Sequence, residues 1–430
     1  MADIEPKDRS VRDAVIYVPG LFADEDQVTD KIAQRIASAL NLTSPAEVSF
    51  SVSPGTDASV GQAGQWKVRG VTILSRPDAN TAETPLMDVY ELDYASDFRR
   101  VSEKRPPIIQ AVYVALLVLL NGWPVLRSLF ARSKSLGHRL QAFYGVLILA
   151  VMVGYAGMMV YASVIAVQDA WPRAKTATVA PAPSEKRSAI EAAILVLTAL
   201  GLFSKKSLKD GLTKVGVEAS GALGYVAYGA RASVLTGAVS NLIDDIIQKA
   251  PQRGVKYRRV HLVAYSFGSV VALDALFPRG GGDPPNRASD IDALITIGCP
   301  FDFIRGYWPA YFTRRGGFPG APKRWLNVYR ADDVLASDFV DVGEEATAAL
   351  GVSTRGIAGK DAKDVLCKPR NRQYGSGDSI GLNGLLLGGF RAHGDYWQRG
   401  ETDDVNVFMP IVRFLADERP IEPEEQSNVA

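Results

Sequence analysis

The stretch 260–276 constrains this chain more than any other. Val260-His261-Leu262-Val263-Ala264 is a short apolar run that passes without a gap into Tyr265-Ser266-Phe267-Gly268-Ser269. Helical apolar spacing follows at once through Val270, Val271, Leu273, Ala275 and Leu276. A strand that becomes a helix within so few residues must turn sharply, and a sharp turn tolerates only small side chains beside its apex. Ala264 and Gly268 occupy those flanking positions, with Ser266 at the apex. The alternative for the same string is a Ser-Gly turn capping an ordinary helix.

Other segments repeat the strand-then-helix rhythm. Ala14 to Val18 is an apolar run that stops at Pro19-Gly20, and helical spacing follows through Val28, Ile32, Ile36 and Leu40. The acidic Asp24-Glu25-Asp26 before that helix complements its dipole. Val71 to Leu74 and Val89 to Leu92 read as strands, and Val226 to Ile247 reads as a helix. Ile291 to Ile297 is a buried strand ending at Gly298-Cys299-Pro300, and Trp325 to Tyr329 is another, ending at Arg330-Ala331-Asp332-Asp333. Strands alternating with helices imply an α/β fold with a mostly parallel central sheet, whose sites lie at the carboxyl ends of the strands.

Between the two strand-bearing ends lies an apolar region. Residues 106–126 and 142–167 carry no charge, and 192–204 is a shorter apolar run. About 20 apolar residues suffice to cross a bilayer. The expected organisation is therefore an N-terminal part of one α/β domain over 1–104 and a membrane-helix insertion over 105–205. Within it, spans are expected at about 106–128 and 142–167, with a short apolar helix at 190–204. The C-terminal part of the domain follows over 206–417, then a loose acidic tail over 418–430. Both halves of one sheet must lie on the same side of a membrane, so a transmembrane helical hairpin is expected. The first residues carry no apolar run, and the domain is expected to face the cytoplasm as part of a multi-pass membrane protein.

Composition removes several function classes. Lys and Arg number 48 against 47 Asp and Glu, so no net field draws in nucleic acid. The two cysteines, Cys299 and Cys367, are far apart, and no Cys or His pair has zinc-ligand spacing. Neither a metal nor a cofactor is expected.

A serine hydroxyl needs a base to become a nucleophile. Of the three histidines, His138 lies between the two long apolar runs and His261 lies inside the strand before Ser266. His393, in Ala392-His393-Gly394-Asp395-Tyr396-Trp397, follows every strand and is the candidate base. The acid that orients it is Asp333, with Asp332 and then Asp302 as alternatives at strand ends. Chain order is then Ser266, Asp333, His393, an order met in strand–turn–helix serine enzymes. Val18-Pro19-Gly20-Leu21-Phe22 is placed to offer a backbone N–H from Leu21 or Phe22. Together with the N–H of Phe267, it would form an oxyanion hole.

On these motifs the chain resembles the α/β-hydrolase superfamily, in particular its lipase/esterase-like members. The resemblance rests on residues 18–22, 264–269, 296–300, 327–334 and 393–397, and it does not cover the apolar middle. Two departures are Ala264 in place of the first glycine of the serine motif and the lack of a His-Gly pair in the entry loop. The resemblance implies a cofactor-independent serine hydrolase cleaving a carboxylic ester through an acyl-enzyme on Ser266. With a membrane anchor, the expected partners are a lipophilic acyl substrate and the lipid bilayer, with self-association into a homo-oligomer left open. The rival readings are a non-catalytic membrane scaffold or sensor that keeps the fold, and a channel or transporter with the α/β part as a regulatory domain.

Overall fold

The computed structural model describes residues 10–21, 28–53, 62–63, 66–78, 80–94, 229–279, 288–308, 322–330, 369–374, 392–397 and 407–416, with shorter pieces around 222–226, 310–315 and 332–339 and five positions between 122 and 146. Among these residues one nine-stranded sheet organises everything. Its strands are β1 (Ser10–Val18), β2 (Ser49–Val52), β3 (Gln62–Ala63), β4 (Trp66–Arg76), β5 (Thr84–Asp93), β6 (Val255–Tyr265), β7 (Ile291–Ile297), β8 (Arg324–Tyr329) and β9 (Arg370–Gln373). The order across the sheet is β2-β4-β5-β1-β6-β7-β8-β9, with β3 paired to β4. From β5 to β9 every neighbour is parallel, whereas β2, β3 and β5 each run antiparallel to β4.

The described helices are α1 (Val28–Thr43), α2 (Ala230–Lys249), α3 (Phe267–Leu276), α4 (Phe301–Tyr307) and α5 (Phe408–Ala416). Side chains alternate across a strand, so each central strand feeds two cores. Ala14, Ile16 and Val18 of β1 join Leu262 and Ala264 of β6 on one face, where α2 and α3 cover them. Val15 and Tyr17 join Val263 and Tyr265 on the other, under α1 and α5. The carboxyl-terminal parts of β1 and β6, and most of β7, are covered on both sides and so read as nearly continuous apolar runs. All of α3 is buried, which explains a helix that is apolar all round.

β1 is the hinge of the chain's two halves. It lies between β5, from the first hundred residues, and β6, from beyond residue 250, with Val18 level with Ala264. The carboxyl end of β1 therefore lies beside the carboxyl end of β6, which brings Pro19-Gly20 next to Ser266.

The expected transmembrane hairpin and the multi-pass, cytoplasm-facing placement need correction. Among the described residues, no helix is long and apolar enough to cross a membrane. The longest described helix, α2, is 20 residues but carries Arg231, Asp244, Asp245 and Lys249 and buries one stripe against the sheet. Of the expected spans, 106–128 and 142–167, only positions 122, 123, 126, 143 and 146 are described, and the segments 190–204 and 418–430 lie outside the described residues. The physical reason is that apolar length measures avoidance of water and does not name the medium that replaces it. Val146, from the longer run, is partly buried against Tyr307 of the α/β domain, beside which Phe303 and Trp308 also pack, so at this position protein is the cover.

Candidate active site

Ser266 occupies a backbone conformation that its neighbours impose. Its φ is 53° and ψ −127°, and Phe339 is the only other non-glycine with positive φ among the described residues. A non-glycine residue there costs on the order of 1–3 kcal/mol and persists only where the surroundings over-determine it. Three contacts do so. The Ser266 N–H donates to the Ile297 carbonyl at 2.8 Å, the Ser269 N–H donates to the Ser266 carbonyl at 2.9 Å, and the Ser269 hydroxyl donates back to the Ala264 carbonyl at 2.9 Å.

Two glycines make room for the turn. A Cβ on Gly268 would stand 2.3 Å from the Val18 carbonyl oxygen and 2.4 Å from that of Pro19. A Cβ on Gly20 would stand 2.8 Å from the Cβ of Ser266. The end of β1 and the start of α3 thus touch backbone to backbone. The Ser266 side chain makes no capping bond to its own helix, so the helix-cap alternative does not describe it.

The serine hydroxyl instead faces His393. Ser266 Oγ lies 2.6 Å from His393 Nε2, and His393 Nδ1 lies 2.8 Å from Asp333 Oδ2. One neutral tautomer satisfies both contacts, with Oγ–H donating to Nε2 and Nδ1–H donating to the carboxylate. All three residues are buried, with the Asp333 side chain wholly inaccessible. Asp333 Oδ1 accepts the Leu335 N–H at 2.9 Å, and Oδ2 also accepts the Tyr396 hydroxyl at 2.9 Å.

The alternative acids are engaged elsewhere. Asp332 holds the Arg330 guanidinium through both oxygens, at 2.8 and 2.6 Å. Asp302 accepts the Ser337 hydroxyl and lies 3.4 Å from Arg305. Two residues adjacent in sequence differ because Asp333 turns inward while Asp332 folds back on Arg330.

His261 is buried on β6, five residues before Ser266, which puts it roughly 16 Å down the strand. Its ring nitrogens lie 3.9 Å from Asp13 and 3.6 Å from Asp292, beyond hydrogen-bond reach. Burial, only partly opposed by Asp13 and Asp292, holds its pKa below the ordinary value. His138 lies outside the described residues.

Of the oxyanion candidates, Leu21 is buried at the turn after β1, and Phe267 supplies the first amide of α3, which has no acceptor within its own helix. Phe22 lies outside the described residues. Tyr94 is fully buried and donates its hydroxyl to the Pro19 carbonyl, which anchors the strand-ending turn.

Several supporting side chains had no sequence signal. Tyr265 stacks on the His393 ring, with centroids 5.5 Å apart and planes 21° off parallel, and donates its hydroxyl to the His393 carbonyl. It adjoins Ser266, but nothing in the sequence says that it reaches a residue near 393. Tyr94 and Pro19 are likewise far apart along the chain. Tyr396 lies three residues beyond His393, and that proximity is the one clue available in advance.

Among the described residues, no group of three or more His, Cys, Asp or Glu side chains is placed to hold a metal ion. Cys299 is buried, and burial pushes its thiol pKa up. Searches against family models, curated proteins and solved structures return no match.

Proposed function

We propose that this chain is a serine hydrolase of the α/β-hydrolase type, cleaving a carboxylic ester through an acyl-enzyme. The observation that carries the reading is the unbroken hydrogen-bond chain from Ser266 through His393 to Asp333 at the carboxyl ends of parallel strands. The nucleophile's positive φ supports it independently, since a capping serine has no need of such strain.

The chemistry follows from the positions of the donors. Ser266 Oγ attacks the ester carbonyl carbon while its proton passes to His393 Nε2. The negative charge of the tetrahedral intermediate sits on the former carbonyl oxygen, facing the N–H groups of Phe267 and of Leu21 or Phe22. One such donor is worth about 3 kcal/mol in comparable sites. His393, now cationic, is held and stabilised by Asp333, which keeps its own negative charge. The proton returns from Nε2 to the departing alkoxide, leaving an acyl group on Oγ. Water then enters, gives its proton to Nε2 and releases the acid, with Ser266 regaining its hydroxyl proton. A lipophilic acyl group was expected on the strength of a membrane anchor, and with that argument gone the acyl chain is a matter for direct measurement.

The test is labelling by a fluorophosphonate probe, comparing the native chain with Ser266→Ala and His393→Ala. Labelling of the native chain that both variants lose is the expected result. A chain series of p-nitrophenyl esters then reads acyl preference, with turnover in either variant falling by roughly 10⁴-fold or more. A folded native chain that neither labels nor turns over esters overturns the reading.

A further inference from the structure

We propose that Tyr396 is a positioning residue for the Asp333–His393 pair, which controls how much carboxylate charge His393 feels and so the pH at which Ser266 becomes nucleophilic. The proposal rests on the hydrolase reading of Ser266, His393 and Asp333.

Asp333 Oδ2 is shared. It accepts His393 Nδ1 at 2.8 Å and the Tyr396 hydroxyl at 2.9 Å. The phenol's direction is fixed from behind, because its oxygen accepts the Arg330 N–H at 2.9 Å. With that acceptor role filled by a backbone amide, the phenol hydrogen is left to point at the carboxylate. A donor that itself accepts a hydrogen bond is polarised into a stronger donor.

The ring has little freedom to move. Tyr396 is wholly buried, begins three residues after His393 and lies in the 3-10 turn Asp395–Trp397. Tyr374 stacks on it at 6.1 Å and 22°, and Tyr265 meets it edge-on at 6.1 Å. Gly298, with φ of 58°, leaves the space beneath: a Cβ there would lie 3.0 Å from Tyr396 Cε2 and 3.4 Å from Asp333 Oδ2. One short turn therefore delivers both the base and a second donor to the same oxygen.

The titratable and charged groups facing the pair among the described residues are few. Tyr265 stacks on His393, and Tyr374 and the Arg330–Asp332 ion pair lie behind Tyr396. Burial and the neighbouring Asp333 charge push the Tyr396 phenol well above its ordinary pKa, so it stays a donor at every working pH.

The second hydrogen bond withdraws part of the charge that would otherwise stabilise the His393 imidazolium. Removing it strengthens the carboxylate's hold on the cation. NMR titration of the His393 ring in the full chain, assigned with His393→Gln, reads this without needing turnover. In Tyr396→Phe the midpoint is expected to rise by roughly half a pH unit, and the acid limb of kcat/KM to move the same way. A role in packing alone leaves both unmoved, because Phe fills the same slot, and that result overturns the proposal. Should Tyr396→Phe fail to fold, replacing Tyr396 with 3,5-difluorotyrosine keeps the volume and makes a stronger donor. Its midpoint should then fall, and an unmoved midpoint overturns the proposal equally. Failure of the hydrolase reading shows separately, as a folded native chain that the fluorophosphonate probe does not label, while the titration still reports whether Tyr396 governs the pair.

Discussion

At the scale of single residues, the site depends on what is missing as much as on what is present. Gly268 and Gly20 lack the side-chain atoms that would collide with the end of β1 and with Ser266. Gly268→Ala must separate α3 from Val18 and Pro19, so probe labelling should vanish and stability should drop by about 2–3 kcal/mol in urea unfolding. Gly237, in the middle of α2, has nothing within 4 Å of a built Cβ. Gly237→Ala is expected to raise stability by about 0.5–1 kcal/mol and to leave labelling intact. The same substitution thus has opposite signs at two glycines, and an equal effect at both would contradict the close approach of α3 to the end of β1. The Ser266, Asp333 and His393 candidates were legible because Ser266 and Asp333 follow strand ends and His393 follows the last strand, in a chain order that limits the choices. Of the two adjacent carboxylates, Asp333 is the one within hydrogen-bond reach of His393, while the Arg330 guanidinium claims Asp332.

At the scale of elements, apolar runs marked the central strands well because burial on both faces leaves few polar residues to interrupt them. β9 (Arg-Asn-Arg-Gln) could not be read this way, since all four residues are exposed. It exists because β8 offers a free edge and because Asn371 accepts a 2.9 Å hydrogen bond from the buried Asn327 side chain. The start of α1 also depends on a partner distant in sequence. Thr29 donates its hydroxyl to Glu91 on β5, and both residues are buried. Burial raises the Glu91 pKa, with Asp93 adding to it, against the opposing effects of Thr29 and Arg69. A carboxyl whose folded pKa exceeds its unfolded one binds more protons when folded, so stability falls as pH rises from the ordinary carboxylate value through the folded one. Glu91→Gln keeps an acceptor for Thr29 and cannot ionise. Its Tm should match the native chain near pH 4 and exceed it at pH 8, and parallel Tm curves would exclude this account.

At the scale of the whole molecule, the sheet joins residues far apart in sequence, and charge reinforces the join at the end opposite the active site. Asp13 of β1 receives Arg259 at 2.7 Å and Arg258 at 3.2 Å, both from β6. Burial opposes the Asp13 charge, but His261, Arg258 and Arg259 outweigh it and hold the carboxyl well below its ordinary range. A depressed folded pKa gives stability that is present above the unfolded value and is lost as pH falls through the folded one. Asp13→Asn leaves Arg259 without its buried counter-charge and should cost about 3 kcal/mol at pH 7 in urea unfolding. The gap should narrow as the solution is acidified toward the folded pKa, because the native chain then loses the same interaction.

Local patterns in the chain carried the α/β rhythm, the serine turn and the three candidate residues, because apolar periodicity and turn chemistry act over a few neighbours. Sheet order, the pairing of β1 with β6, the acid that meets His393 and the hydroxyl contacts of Tyr94, Tyr265 and Tyr396 arise between residues tens to hundreds of positions apart. The apolar middle marks the boundary between the two. Hydropathy records that 106–126 and 142–167 avoid water, and no count of residues distinguishes lipid from protein as the replacement; Val146 against Tyr307 is a distinction that only packing can draw.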